Sequence, residues 1–561
     1  MSPCSAPGWR RRSRGRGSSI RFRNALPKNK SFAAAAAARL DRGHDSGAVG
    51  LGRTGDHSAP LPGPSLRMLR AANPAAGMRP VARSDPTMTQ HQNFIAGRFA
   101  APSSDAMIEV RNPATGRVFT TVPAATEAEA VEAVAAAAAA QKAWGQLPAI
   151  QRGDALRRLA AAIEARSGAI GAALAQESGK SLADATAEAV YAAELMRYHA
   201  EWARRIEGEI IPSDTPDETL LLKREPIGVV ACLIPFNYPV YTLVRKIAPA
   251  LIAGNAVVVR PSNSTPTSAL AIAAAVEEAG LPPGLVSVLA MTHETARALC
   301  TRPAVGMITL TGSVGAGRIV LDYCKDNIAK PSLELGGKTP VIVEPDADLD
   351  EVAARIVAAK ATHCGQVCTA AERLYVHEGI HDALLDRLRQ AFRARGFGDR
   401  AVDPDRMGPL ATAAARAHVH GMVERAVAEG EVLEAGGVLP DGDGFFYPPT
   451  LLSSCRQEME IIREEVFGPV LAMMPYRDAA QALALANDHQ FGLTSVLFTE
   501  DYRTVMRFAD AIEAGELYVN RFPADPYQGF HAGWKRSGLG GDDGKHGMLE
   551  FTQTRLVVLK H

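Results

Sequence analysis

Between Gly228 and Leu310 the chain carries four short apolar runs with almost no polar interruption: Val229-Val230-Ala231-Cys232-Leu233-Ile234, Ala256-Val257-Val258-Val259, Val286-Ser287-Val288-Leu289 and Met307-Ile308-Thr309-Leu310. Runs of this length that do not alternate between apolar and polar are strands covered on both faces. Helical patterns near 242–253, 265–279 and 294–301 separate them. Such alternation predicts a parallel, doubly wound α/β sheet, an architecture that takes a nucleotide beyond the carboxyl ends of its strands.

The flanks read differently. Short alternating runs from Asn93 to Pro123, broken by Asn112-Pro113-Ala114-Thr115-Gly116, suit a hairpin or edge strands. Thr126 and Glu129 form a capping-box pair before an Ala-rich helix, and Arg152–Ser178 and Ser181–Glu207 read as two more amphipathic helices. The polar stretch Glu209–Glu225, with Pro212 and Pro216, predicts a projecting ribbon. A second α/β region is expected from near Leu333, with strand-like pieces at Leu451–Val470 and Phe491–Phe498. Everything after residue 87 is too long for one core of about 250–300 residues, so two or more domains are expected.

Composition matters chiefly at the N-terminus. The chain's 61 basic and 61 acidic side chains cancel, yet residues 1–87 hold 16 Arg and Lys against 4 Asp and no Glu, so the remainder is acidic. With Arg10-Arg11-Arg12, an Ala33–Ala38 tract and few large apolar residues, this stretch is expected to be a disordered basic extension ending near Met88, to which no function is assigned; an Arg-rich, acid-poor organelle-targeting segment is the alternative. No nucleic-acid partner is assigned to it. The most apolar stretch, Ile227–Val259, is interrupted by Asn237, Arg245, Lys246 and Asn255, so no membrane association is expected. Seven scattered cysteines make no disulfide framework and point to a reducing compartment, the cytoplasm.

Four local patterns can carry chemistry. Gly365-Gln366-Val367-Cys368-Thr369 sets a cysteine among small residues, where an exposed thiol of lowered pKa would be a nucleophile, whereas Cys364 reads as a packed thiol. Leu333-Glu334-Leu335-Gly336-Gly337-Lys338 places a carboxylate in apolar company that would raise its pKa toward that of a general base. Pro235-Phe236-Asn237-Tyr238-Pro239 ends a strand with an amide able to donate to an oxyanion. Thr311-Gly312-Ser313-Val314-Gly315-Ala316-Gly317 joins a strand to a helix, where free N–H groups and the helix dipole favour phosphate. Each also has an ordinary structural explanation: a buried thiol, a capping carboxylate, a turn.

In order, these segments resemble the aldehyde dehydrogenase superfamily from about Asn93 to the C-terminus, together with Gly254-Asn255-Ala256-Val257-Val258-Val259-Arg260-Pro261-Ser262 and Glu464-Glu465-Val466-Phe467-Gly468-Pro469-Val470. The resemblance implies a Rossmann-type NAD(P)-binding domain over 93–208 and 226–332, an α/β catalytic domain over 333–530, and a β oligomerisation element over 209–225 and 545–561. It also implies a homodimer or homotetramer acting on a small aldehyde, with no metal. Cys368 would attack the aldehyde while Asn237 and the Cys368 N–H hold the oxyanion. Hydride would pass to the nicotinamide, and Glu334 would activate the water that releases the acid. Lys338 would organise the site, Glu465 would hold the nicotinamide ribose and Phe467 would pack by the ring. Gly312 and Ser313 would line the cofactor site.

The cofactor is NAD by this resemblance, with NADP possible. The family's usual Lys-Pro-Ser-Glu is here Arg260-Pro261-Ser262-Asn263, which lacks the acid that repels a 2′-phosphate.

Glu201-Trp202-Ala203-Arg204-Arg205, Gly208-Glu209-Ile210-Ile211, Gln528-Gly529-Phe530-His531-Ala532-Gly533-Trp534 and Gly544-Lys545-His546-Gly547 resemble bacterial lactaldehyde and glycolaldehyde dehydrogenases. Arg245, about two helical turns beyond Asn237, and His531 would favour a short polar aldehyde. An ion-paired Arg245 on a helix surface is the plainer alternative. The subfamily's acidic substrate contact falls on Asp525, one methylene shorter than the Glu of that pattern. The alternatives are a semialdehyde dehydrogenase, with Arg245 on the substrate's remote carboxylate, and a non-catalytic structural protein of this fold, which the retained Cys368, Glu334 and Asn237 oppose.

Overall fold

Burial on both faces organises the first sheet. In the computed structural model, which describes residues 91–561, five parallel strands lie in the spatial order Val286–Val288, Ala256–Arg260, Val229–Leu233, Val305–Thr311, Lys330–Glu334. The chain enters at the middle strand, winds to one edge and returns to the other side. The winding therefore reverses between Val229–Leu233 and Val305–Thr311, where an α/β sheet opens its ligand crevice. Helices Pro239–Ile252 and Pro266–Glu278 each begin with proline, whose fixed φ and missing N–H suit a first helical position. The expected basic extension and its boundary near Met88 lie outside the described residues.

Asn93–Ile95 adds an antiparallel edge against Val286–Val288 and forms its own hairpin with Arg98–Ala100. Met107–Arg111 pairs with Val118–Pro123 around the Asn112 turn. Thr126 and Glu129 make the reciprocal capping box that starts helix Glu127–Gln146.

The second sheet has seven strands, in the order Val432–Ala435, Thr450–Ser453, Val470–Tyr476, Ala371–His377, Thr339–Val343, Thr494–Phe498, Glu516–Val519, all parallel except the first at its edge. Leu333 and Glu334 end the first sheet, and the second begins at Thr339. The expected strand piece over 451–470 is two strands separated by helix Glu460–Arg463, because the polar Arg456-Gln457-Glu458 cannot sit inside a buried strand.

The polar ribbon is a third, small sheet. Glu218–Pro226 pairs antiparallel with Thr552–Lys560 over nine positions and with Glu209–Ile211 on its other side. Its apolar side chains are uncovered: Ile210 is 79% exposed, Leu556 55% and Val558 51%. Among the described residues no helix is long and apolar enough to cross a membrane.

Candidate active site

Backbone geometry presents the candidate nucleophile. Helix Leu349–Ala361 ends in a turn where His363, Cys364 and Gly365 take φ of 45°, 56° and 71° in succession. Left-handed backbone costs a non-glycine residue roughly 1–2 kcal/mol, so this turn persists only because its surroundings hold it. Gly365 is required there, since a Cβ would lie 2.2 Å from the Gly468 carbonyl oxygen. Buried Gln366 anchors the segment by donating from Nε2 to His363 O (3.0 Å) and accepting from Ala411 N (2.9 Å). Two residues on, Cys368 is part-buried, while Cys364 is fully buried with its thiol pushed up by desolvation.

Glu334 stands at the end of the fifth strand of the first sheet, where Thr311 Oγ1 donates to its Oε2 (3.0 Å). Its Oε1 meets two groups, His531 Nε2 at 2.6 Å and Cys368 Sγ at 3.8 Å. The other ring nitrogen, His531 Nδ1, faces Glu516 Oε1 at 3.0 Å and Asp525 Oδ2 at 3.9 Å. With carboxylates on both nitrogens the imidazole is held charged: burial would lower its pKa, but Asp525 and Glu334 raise it well above the ordinary value.

Two expectations are corrected here. Burial in apolar company does push Glu334 upward, but His531, followed by Arg245 and Lys246, outweighs it and holds the carboxyl well below the usual range. Cys368 is no low-pKa thiolate either. Desolvation, reinforced by the Glu334 charge, pushes its thiol up to about 12.

Asn237 lies at the opposite wall, buried, with Nδ2 donating to Gln366 O at 3.0 Å. Its own carbonyl accepts from Lys180 Nζ (2.7 Å), whose ammonium stands 3.8 Å from the centre of the Tyr238 ring and pairs with Glu188. Glu188 in turn accepts from the free N–H groups of Val240 and Tyr241 at the start of helix Pro239–Ile252. Asn237 is therefore placed by a buried ion pair and a helix start together.

Arg245, on the next turns of that helix, is buried and ion-paired rather than on a helix surface. It binds Asp543 through Nε (2.9 Å) and Nη2, and Asp525 through Nη2 (2.9 Å). The adjacent Lys246 pairs with Asp542 at 2.7 Å. Arg245, Asp525 and His531 thus share one charged floor below Cys368.

The cofactor residues gather at the reversal of the sheet. Arg260 ends the second strand, touches Asn263 Oδ1 (3.4 Å), and has a buried Nε without a partner. Ser262 Oγ accepts from Ser264 N, and Ser313 caps helix Val314–Asn327 by accepting from Ala316 N. Gly312 N donates to the Glu334 carbonyl, which ties this turn to the site. Glu465 Oε1 accepts from Gly337 N (2.9 Å) and lies against Gly336, where a Cβ would come 2.2 Å from Oε2. Burial, then the nearby Glu372 charge, raises Glu465 to about 8. Phe467 packs edge-on against Phe236, with centroids 5.9 Å apart. Lys338 is buried on Glu372 (2.7 Å), which also accepts from Val466 N and Phe467 N, so it braces the loop that carries Glu465 and Phe467. An orphaned guanidinium nitrogen, a cradle free of Cβ atoms and the switch in strand order all fit a dinucleotide.

Glu516, Lys180, Glu188 and Glu372 escape sequence reasoning, and Thr311, quoted there only as part of the strand-to-helix turn, is found to hold Glu334. Each acts through a partner distant in the chain, and only the apolar-flanked acid of Glu516-Leu517-Tyr518-Val519 offered a signal. Two groups among the described residues have the donor atoms to hold a metal: Glu334, Cys368 and His531, and Glu516, Asp525 and His531.

Comparison with known proteins gives the family and the fold. Residues 99–557 match the aldehyde dehydrogenase family. The chain is 44% identical over 473 residues to lactaldehyde dehydrogenase of Escherichia coli, covering 84% of this chain and 99% of that one. It is 42% identical to 3,6-anhydro-alpha-L-galactose dehydrogenase of Streptomyces coelicolor, covering 83% and 96%. The crystal structure of the Escherichia coli lactaldehyde dehydrogenase superposes with a TM-score of 0.83 at 43% identity, over 84% of this chain and 99% of that one. A 3,6-anhydro-L-galactose dehydrogenase solved with NADP (TM-score 0.81, 34% identity, 84% and 100% covered) and a Staphylococcus aureus betaine aldehyde dehydrogenase solved with NAD+ (0.82, 29%, 84% and 97%) share the fold.

Proposed function

The chain belongs to the aldehyde dehydrogenase family and is an NAD(P)-dependent aldehyde dehydrogenase; from that premise we propose that its substrate is a small hydroxyaldehyde, lactaldehyde or glycolaldehyde, oxidised to the carboxylate. The observation that carries this reading is the charged floor of Arg245, Asp525, Asp543 and His531. A hydroxyl can exchange hydrogen bonds with Asp525 and His531. A long alkyl chain would meet this charged floor without offering it a hydrogen bond and would strip it of solvent. A semialdehyde's remote carboxylate would meet an Arg245 already matched by Asp525 and Asp543, and would add a third negative group.

In this reading Cys368 Sγ adds to the aldehyde carbon and its thiol proton leaves to solvent, so that Glu334, 3.8 Å away, stays ionised for the later hydrolysis. Asn237 Nδ2 and the Cys368 N–H take up the charge that develops on the aldehyde oxygen. The cofactor would supply the hydride acceptor when bound; Glu465 and Phe467 would hold its nicotinamide end, and Arg260, Ser262, Asn263, Gly312 and Ser313 would hold the remainder of the dinucleotide. The thioester then left on Cys368 is attacked by water that Glu334 deprotonates, which releases the acid and restores the thiol. NAD is the cofactor, and NADP is admitted because Asn263 carries no charge to repel a 2′-phosphate and Arg260 has a free N–H to offer it.

The test is kcat/KM for glycolaldehyde, L-lactaldehyde and succinic semialdehyde with each cofactor. Hydroxyaldehydes are expected to lead, and preference for the semialdehyde overturns the assignment. The uncovered Ile210, Leu556 and Val558 support self-association through the small sheet into a dimer or tetramer. A protein that sediments as a monomer at micromolar concentration defeats that part.

A further inference from the structure

A thiol, an imidazole and a carboxylate rarely converge without consequence for soft metal ions. Cys368 Sγ, His531 Nε2 and Glu334 Oε1 all lie within 4.8 Å of one another and are enclosed rather than on an open surface. Tetrahedral Zn²⁺, with bonds of about 2.0–2.3 Å, spaces such ligand atoms roughly 3.3–3.8 Å apart. The Sγ–Oε1 separation is already 3.8 Å, and the 2.6 Å hydrogen bond from His531 to Glu334 needs to open by less than about 1 Å.

The surroundings carry a second, independent feature of a zinc site. If Nε2 binds metal, Nδ1–H must donate elsewhere to hold the ring, and Glu516 Oε1 accepts there at 3.0 Å, a carboxylate–histidine–metal arrangement. Glu516 is itself held by Thr494 Oγ1 (2.8 Å), and Thr311 occupies the far oxygen of Glu334, leaving Oε1 for the metal. The competing cluster, Glu516, Asp525 and His531 Nδ1, offers harder ligands and no sulfur. Zinc prefers the thiolate side.

We propose that this enzyme carries an inhibitory zinc site in which Cys368, His531 and Glu334 bind one Zn²⁺ and leave the fourth position to water. Binding is ligand exchange without redox change: the Sγ–H and Nε2–H bonds break, their protons leave to solvent, and S–Zn, N–Zn and O–Zn bonds form. The metal masks the nucleophile and the base together, so inhibition is complete while it is bound, reversible by a chelator, and excluded by prior aldehyde addition.

The experiment is a titration of the full enzyme with Co²⁺ as spectroscopic probe and with Zn²⁺. Expected are one metal per chain, a thiolate-to-cobalt charge-transfer band in the near ultraviolet, and loss of activity that EDTA restores. Cys368→Ser removes the band. Glu516→Gln, which deprives the ligand ring of its partner, weakens Zn²⁺ binding roughly ten- to a hundredfold. Should either variant fold poorly, alkylating Cys368 in the native enzyme serves instead, because the other five described cysteines are buried, and it must abolish the band. Absence of the band, or stoichiometric Zn²⁺ uptake that survives both Cys368→Ser and alkylation, overturns the proposal. Either result leaves the aldehyde assignment untouched, because that rests on turnover without metal.

Discussion

Glu372 and Glu334 are buried almost equally, at 3% and 2% exposure, and their neighbours separate them. Glu372 is saturated. Lys338 stands at 2.7 Å, Lys360 at 3.8 Å, and the N–H groups of Val466 and Phe467 complete its acceptor sites. Burial would raise its pKa, but Lys338 and Lys360 hold it low. Glu334 has instead one fixed partner, Thr311, and two titratable ones, His531 and Cys368. A buried carboxylate closed by ammonium groups and main chain is a brace, whereas one closed by an imidazole and a thiol can move a proton.

The largest effects should come from the proton-exchanging side. Cys368→Ala is expected to lower aldehyde oxidation by at least about 10⁴-fold while cofactor still binds; residual turnover near the parent rate would end the mechanism. Glu334→Gln should lower steady-state turnover by roughly 10²–10⁴-fold yet keep a rapid first burst of reduced cofactor, since only thioester hydrolysis loses its base. Loss of the burst as well would move Glu334 to the first step.

On the brace side the prediction concerns stability. Lys338→Met leaves the Glu372 charge short of its nearest partner and should cost about 3–5 kcal/mol in denaturant unfolding. If stability is kept and only turnover falls, Lys338 belongs with the chemistry and the contrast collapses.

The smallest effect lies where the clusters meet. Glu465, raised to about 8, keeps a proton in the folded chain at pH values where the unfolded chain, near 4.5, has lost it. The folded state binds more protons across that window, so this group's contribution to stability falls as pH rises from about 4.5 to about 8. Ribose hydroxyls want the ionised form, so cofactor affinity should rise roughly tenfold from pH 7 to pH 9. Calorimetric titration checks this, and Glu465→Gln should flatten it. A slope that persists in the variant assigns the proton elsewhere.

Much of the fold was legible because its cues are local. The apolar runs from Val229 to Leu310 announce double-faced burial within a few residues each, and Thr126 with Glu129 announces a cap. Cys368, Asn237 and Ser313 sit in short motifs whose Gly and Pro neighbours already describe a turn at the end of a strand or helix. The readings that failed did so for a common reason. Leu333 and Leu335 suggest an apolar setting for Glu334, but the side chain that governs its charge, His531, lies 197 residues away. Arg245 meets Asp543 across 298 residues.

By itself the sequence determined the strand alternation and the doubly wound sheet that makes a nucleotide crevice, since these follow from periodicity along adjacent residues, while the thiol, acid and amide were singled out by the resemblance of their motifs to a family. Only the tertiary structure decided how those groups are charged. Coulomb energies and desolvation depend on distance in space, and the partners that fix them, His531 and Glu516 for Glu334 and Cys368, and Asp525 and Asp543 for Arg245, are brought in by the return of the C-terminal segment across the ends of both sheets.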